Sequence, residues 1–378
     1  MSGIGTGSTT STDPRAAAAE LVSQAKAGLE GAPTLAILFA TSQYDTDVLA
    51  SSVSELLGGI PMWGGSSSTG VFRDDGWITS AGGAASLMLI ADRPGAATVV
   101  PVGDDAFAAG RKAAEEVVKQ LGGAPGALLT LAFMGPEEEL LRGIASVAPG
   151  VPVVGGSASD HSPEGKFQQI ANGHAYTNHF ALAAIGGPVG VAFTNGYRPT
   201  GKKAIVTKAT GRTVFELDGR RAMDVYSAWV AKPEAEICGG ALVSFSVQYP
   251  LLFRQAGVGY SAHPTNSSVD GSMDFGAAMR PGMELELAEA SVNGLVAEAG
   301  NAVYKATLGV EHPKAILLSH CGGRAIALGD RIREIPAEIA HTAGHLPTVG
   351  YLAFGEQGCS EPGSPTHADL SLSALVLG

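Results

Sequence analysis

Three short runs along the chain are almost wholly apolar: residues 35–40 (Leu-Ala-Ile-Leu-Phe-Ala), 127–132 (Ala-Leu-Leu-Thr-Leu-Ala) and 315–319 (Ala-Ile-Leu-Leu-Ser). Runs of this length, bounded by Gly, Pro or small polar residues, predict strands covered on both faces. After the first run, Asp45-Thr46-Asp47 caps a helix carrying Val48, Leu49, Val53, Leu56 and Leu57 at helical spacing, and residues 60–63 return as a strand. The unit is β-α-β. A second unit spans residues 126–156, its helix opened by Pro136 and the acidic Glu137, Glu138 and Glu139, which favour the positive end of the helix dipole. Apolar strands at 84–90 and 180–185 follow the two units. Residues 188–219 read as a strand meander with turns at Asn195-Gly196, Pro199-Thr200-Gly201 and Thr210-Gly211. A helix at 220–230 is stopped by Lys232-Pro233-Glu234, the alternating residues 283–287 predict a half-exposed strand, and a long helix is expected from about 288 to 308.

The two β-α-β units share wording as well as pattern. Pro61, Gly64, Gly65, Ser66 and Ser68 correspond to Pro152, Gly155, Gly156, Ser157 and Ser159 at one offset (152 − 61 = 91). Residues 35–40 and 45–57 land without a gap on 126–131 and 136–148, so the sequence predicts a duplication. The fold class implied is α/β, with mixed sheets, duplicated β-α-β units in the N-terminal part and a related α/β C-terminal part. The division expected is a disordered Gly/Ser/Thr-rich tail over 1–13, an N-terminal domain over 14–235 and a C-terminal domain over 236–378.

Composition narrows the function. With 378 residues, 45% hydrophobic and 16% charged, the chain can bury a large core. A net charge of −12 without a basic cluster argues against a nucleic-acid partner. Three widely spaced cysteines, Cys238, Cys321 and Cys359, fit a reducing compartment, so the expectation is a cytoplasmic protein. Residues 1–13 lack a signal-peptide core, and no apolar run reaches membrane-spanning length, so no membrane insertion is expected.

Four segments in order carry a family resemblance: the first Gly-Gly-Ser repeat; Val191-Ala192-Phe193-Thr194-Asn195-Gly196-Tyr197-Arg198-Pro199-Thr200-Gly201 followed by Phe215-Glu216-Leu217-Asp218-Gly219; Ser319-His320-Cys321-Gly322-Gly323-Arg324; and Pro347-Thr348-Val349-Gly350-Tyr351-Leu352-Ala353-Phe354-Gly355-Glu356. The chain resembles the FIST domain family, with N-terminal FIST and C-terminal FIST_C regions. That resemblance implies an intracellular sensory or signal-transduction module for small ligands such as amino acids. Some bacterial relatives are haem proteins that sense nitric oxide, so haem is the cofactor the resemblance raises. No signalling domain is recognised here, which makes a separate signalling protein the expected output partner.

The candidate ligand-binding residues are Gly64, Gly65, Ser66, Ser67, Gly155, Gly156, Ser157, Cys321, Arg324 and Glu356. Glycine followed by serine just past a strand end can present N–H and hydroxyl donors to a small anion, or can simply make a close-packed turn. Arg324 could grip a carboxylate in two-pronged fashion, with Glu356 taking an amine, or the two could pair internally. Cys321 beside His320 and Arg324 is a nucleophile candidate or a small buried residue. Neither serine motif matches Gly-x-Ser-x-Gly, since Ser68 and Ser159 stand at the last glycine position. His341 and His345 have metal-ligand spacing, but Gly344 and Pro347 predict that the helix ends between them, so no metal site is expected. His161, His174, His179 and His320 are the axial-ligand candidates should haem bind. Three readings follow: a sensory module for an amino acid or other small carboxylate, a haem gas sensor, and an enzyme using Cys321 or a Gly-Gly-Ser serine.

Overall fold

The computed structural model describes residues 3–161, 165–360 and 364–378. One element series occurs three times. The first repeat is β1 (Ile4–Thr9), α1 (Pro14–Ala27), β2 (Leu35–Thr41), α2 (Thr46–Leu57), β3 (Met62–Ser67), a hairpin of β4 (Val71–Arg73) and β5 (Gly76–Ile78), and β6 (Ala85–Ile90). The second is β7 (Gly95–Pro101), α3 (Ala106–Leu121), β8 (Ala127–Ala132), α4 (Glu137–Val147), β9 (Val153–Ser157), the hairpin β10 (Gln169–Ala171) and β11 (His174–Tyr176), and β12 (His179–Ile185).

The third begins with β13 (Val189–Thr194) and is interrupted by an insertion. The insertion holds β14 (Arg198–Thr210), β15 (Thr213–Leu217), β16 (Arg220–Arg221), α5 (Ala222–Val230), α6 (Glu234–Ile237), α7 (Ala241–Ser246), β17 (Leu251–Gln255), β18 (Val258–Ala262), β19 (Pro264–Ser267), β20 (Met273–Phe275) and β21 (Glu284–Glu289). The repeat resumes with α8 (Val292–Thr307), β22 (Ala315–Cys321), α9 (Gly322–Leu328), a 3-10 turn (Gly329–Glu334), α10 (Ile335–Ala343), β23 (Thr348–Ala353), the hairpin β24 (Glu356–Gly358) and β25 (Thr366–Ala368), and β26 (Leu372–Leu377).

Each repeat builds four strands of a sheet in the same order: β1-β6-β2-β3, β7-β12-β8-β9 and β13-β26-β22-β23. In each, the last two strands are parallel and joined through the helix, while the others pair antiparallel. The hairpins do not stay home. β10 pairs with β3, β24 with β9, and β4 with β23, so the hairpin of each repeat extends the sheet of another and the three exchanges close a ring. The register is equivalent as well: Gly65 faces Gln169 and Gly156 faces Glu356.

The packing follows this plan. Helices cover one face of each sheet, giving separate apolar layers around α1 and α2, around α3 and α4, and around α8 and α10. The opposite faces meet one another in a shared core that includes Phe39, Trp63, Leu131, Val154, Leu317 and Tyr351. Strands β2, β8 and β22 are buried at every position, as their apolar runs predict. The 91-residue correspondence is also found: α2 at 46–57 and α4 at 137–147 are equivalent elements.

The insertion forms a sheet ordered β18-β17-β21-β14-β15-β20-β19, with its own core and with β16 paired to β15. It draws strands from both sides of residue 235, so a division there would cut through this sheet. Residues 4–9, expected to be disordered, are instead β1, paired antiparallel with β6 along its whole length. That segment is polar in composition because its burial comes from close backbone contact with α1: a Cβ on Gly5 or Gly7 would stand 1.9 Å from Ala25 O or 2.5 Å from Leu21 O. The long C-terminal helix starts later than expected, at Val292, because β21 runs on to Glu289 and Ser291 caps the helix through the Gly294 N–H.

Candidate functional site

The Gly-Gly-Ser segments lie inside β3 and β9, not beyond strand ends, and they are buried. The glycines let the sheets approach: a Cβ on Gly65 would stand 2.1 Å from Leu131 Cδ2, and one on Gly156 would stand 2.7 Å from Ala353 Cβ and 2.8 Å from Ser319 Oγ. The serines join the repeats to one another. Ser66 Oγ accepts from the Gln168 N–H, Ser67 Oγ accepts from the Leu352 N–H and donates to Gly70 O, and Ser157 Oγ donates to Glu137. The backbone continues the pattern, with Ser159 N–H donating to Ser66 O and Phe354 N–H to Ser157 O. Gly64, Gly65, Ser66, Ser67, Gly155, Gly156 and Ser157 therefore converge in the buried interior.

Arg324, Glu356 and Cys321 reach the same interior. Arg324 follows the strand-to-helix turn between β22 and α9, and its guanidinium is fully buried, donating to the carbonyls of Asn195 and Leu295. Glu356 is fully buried on β24 and accepts from the Ser371 N–H. Burial raises its carboxyl well above the usual range, the nearby Asp369 adding to the effect, so it favours the neutral acid. Burial, then the neighbouring Glu356, push the Cys321 thiol well above its ordinary value. A thiol held this way is not an activated nucleophile.

His320 is fully buried and driven well below its usual value by burial and then by the Arg324 charge, with Nδ1 against Cys321 O. His174 is an exposed partner of Asp47, and His179 Nδ1 meets Thr177 O. His341 lies in the last turn of α10, which ends at Gly344 before His345. No group of three or more metal-binding side chains occurs among the described residues.

An open cleft of about 620 Å³ lies elsewhere, beside β13. Its floor is the edge of β13 and the following turn, from Val191 to Arg198. One wall is a single stripe of α8, namely Gly294, Ala297, Glu298, Asn301 and Lys305, and the other holds Val258, Gly259, Cys359 and Ser360. The stripe recurs at three- and four-residue steps, so these residues share one helix face. Glu298, 16% exposed, faces Lys305 Nζ at 3.7 Å and Asn301 Nδ2 at 3.4 Å. Arg324 stands just behind the floor, where a Cβ on Gly196 would lie 3.6 Å from its Nη1. Thr194 Oγ1 lines the cleft region without a hydrogen-bond partner among the described residues. No histidine lines the cleft, so it offers no imidazole to a haem iron.

Of the ten candidate residues none lines this cleft. The sequence did carry a signal for it: residues 191–198 belong to the second family motif, and the α8 stripe is an amphipathic pattern with a charged pair two turns apart.

The architecture defines a mixed α/β protein with a sizeable cleft set at the join between a repeated core and its insertion. The family model of the FIST N domain matches residues 34–220 and that of the FIST C domain matches residues 222–359. The chain belongs to the FIST family, whose domains serve sensing and signal transduction. It is also similar to a protein of Methanocaldococcus jannaschii described only as uncharacterised, at 37% identity over 78 residues, 20% of this chain and 15% of the relative. The match spans well under two thirds of that relative's length. No helix among the described residues is long and apolar enough to cross a membrane.

Proposed function

We propose that the chain is a sensory module whose ligand is a small zwitterion, such as an amino acid, taken up in the cleft between β13 and α8. The observation that carries this reading is a mostly buried carboxylate, Glu298, paired with Lys305 on a cleft that a second cationic group, Arg198, also lines. An ammonium group can replace Lys305 at Glu298, and the freed Lys305 or Arg198 can take a carboxylate, so charge balance is kept on binding. The volume falls within the range of small-molecule sites, roughly 300–1,000 Å³. Arg324 supports the site from behind by fixing the carbonyl of Asn195, in the cleft floor, and that of Leu295 on α8. Occupancy would then alter how α8 sits on β13, and the signal would pass to a separate protein.

The test is calorimetric titration of purified protein with the common amino acids, repeated with Glu298→Gln. Binding of one or a few amino acids, weakened roughly tenfold or more in the variant by loss of a charge-assisted contact, supports the reading. Equal binding by wild type and Glu298→Gln overturns this site, and absence of binding by all of them overturns a single amino acid as the ligand.

A further inference from the structure

β13 is an edge strand, paired on one side with β26 and on the other with nothing among the described residues. The ladder fixes which of its backbone groups are spare. Gly378 N–H donates to Pro188 O, and the register continues through Gly190 with Val376, Ala192 with Ala374 and Thr194 with Leu372. Bonding alternates along an antiparallel pair, so the even-numbered residues bond β26 while Val191 and Phe193 turn their N–H and C=O groups to the free edge. Phe193 O takes the Ser360 hydroxyl. The Val191 N–H, the Val191 C=O and the Phe193 N–H are left facing the cleft.

We infer that the cleft binds an extended peptide as an added strand on β13, antiparallel to it, with the peptide N-terminus at Glu298 and its C-terminus at Lys305. This deepens the reading above, on which it rests, by naming the zwitterion as a short peptide. Three features carry it. The first is the row of unused main-chain groups, which match a peptide backbone and have no counterpart in a single amino acid. The second is space: the α8 stripe from Gly294 to Lys305 covers 11 helical steps (305 − 294 = 11), about 16 Å at the helical rise, which fits about five extended residues. The third is polarity. A Cβ on Gly190 would meet Ala306 O and one on Gly196 would meet Glu298 Cβ, so α8 runs antiparallel to β13, placing Lys305 beside the start of the strand and Glu298 beside its end. A peptide antiparallel to β13 brings its ammonium to Glu298 and its carboxylate to Lys305. Small side chains at Gly259, Gly294 and Ala297 leave room for a backbone, while the walls on both sides keep a second sheet from reaching the edge.

The test uses an equimolar mixture of pentapeptides randomised at every position, with retained peptides read by native mass spectrometry, and free amino acids run in parallel. Val191→Pro removes one outward N–H and no bond to β26, a position where an edge strand tolerates proline. Ala297→Trp, which fills the cleft, is the second variant. The expected result is retention of pentapeptides by wild type, a loss of roughly tenfold or more in both variants, which is about 1.4 kcal/mol, and slowed exchange of the Val191 and Phe193 amide protons on binding. Blocking both peptide termini should weaken binding further. Binding of free amino acids, sensitive to Glu298→Gln but not to Val191→Pro, with no retained pentapeptide, overturns the peptide and leaves the small-ligand reading standing. Retention of neither overturns both.

Discussion

Phe39 on β2 and Tyr351 on β23 stack almost in parallel, with ring centroids 4.1 Å apart and planes 12° from coplanar, although 312 positions separate them (351 − 39 = 312). Trp63 meets Phe39 edge-on at 5.6 Å. These rings join the first and third repeats where the sheets face one another. Phe39→Ala should therefore cost about 3–5 kcal/mol, the usual range for emptying a large aromatic site in a core. In urea unfolding the midpoint should fall in one transition seen alike by far-UV dichroism and by tryptophan fluorescence. Two separated transitions would show that the repeats do not share their core energetically.

Gly65→Ala tests the Gly-Gly-Ser interior. The new methyl would stand 2.1 Å from Leu131 Cδ2 and 2.5 Å from the Gln168 carbonyl, which is backbone and cannot rotate away. A loss of about 1–3 kcal/mol or more is expected from overpacking. Gly76→Ala, with nothing within 4 Å of its added Cβ, is the control and should be close to neutral. Thermal melts of the two variants decide the matter, and a neutral Gly65→Ala would mean that the sheets are not held at this distance.

Arg324→Ala should act on stability before it acts on binding. It strips the donors from the part-buried Asn195 O and the buried Leu295 O, the latter worth about 1–3 kcal/mol when left unpaired. A loss of about 1–3 kcal/mol is expected in chemical denaturation. An Arg324→Ala protein of wild-type stability with abolished ligand binding would instead place the guanidinium on the ligand.

The pH dependence has a definite sign. Burial pulls His263, 6% exposed, down from 6.5 to about 4, its Nε2 resting against Val243 O. The stability this neutral ring contributes is complete above the unfolded value of about 6.5 and is lost as the pH falls toward 4, on the order of 3 kcal/mol across the window. His320, lowered in the same direction, adds to the loss. Glu356 and Asp369 oppose it, since burial raises both carboxyls and their contribution is full at low pH and declines as the pH rises. His263→Gln isolates the histidine: its stability should fall less than wild type between pH 6.5 and 4 in matched urea titrations. Parallel curves would remove His263 from the acid response.

The sequence by itself determined the α/β class, the buried strands at 35–40, 127–132 and 315–319, and the duplication at an offset of 91, because burial on both faces demands continuous apolar runs and a repeated unit keeps its glycines where backbones touch. It also placed the chain in its family through ordered motifs. The third repeat was hidden. Residues 198–289 separate β13 from α8, and the strand equivalent to β3 and β9 reads Thr-Val-Gly-Tyr-Leu-Ala in place of Gly-Gly-Ser, so no fixed offset survives. Only the tertiary structure decided the ring of exchanged hairpins, since strand partners are chosen by which edges remain open after folding. It alone turned the Gly-Gly-Ser segments, Arg324 and Glu356 from a rim into an interior, because a polar residue past an apolar strand reads the same whether solvent or another sheet lies beyond it. The polar stretch Ile4–Thr9 became a strand for a related reason: its glycines gain their contacts from α1 and its hydrogen bonds from β6, and neither is written in its own residues. The cleft is the fullest case. Its floor, its helical wall and its far wall come from Val191, Glu298 and Ser360, remote in the chain and adjacent only because β13, α8 and the end of β24 close around one sheet edge.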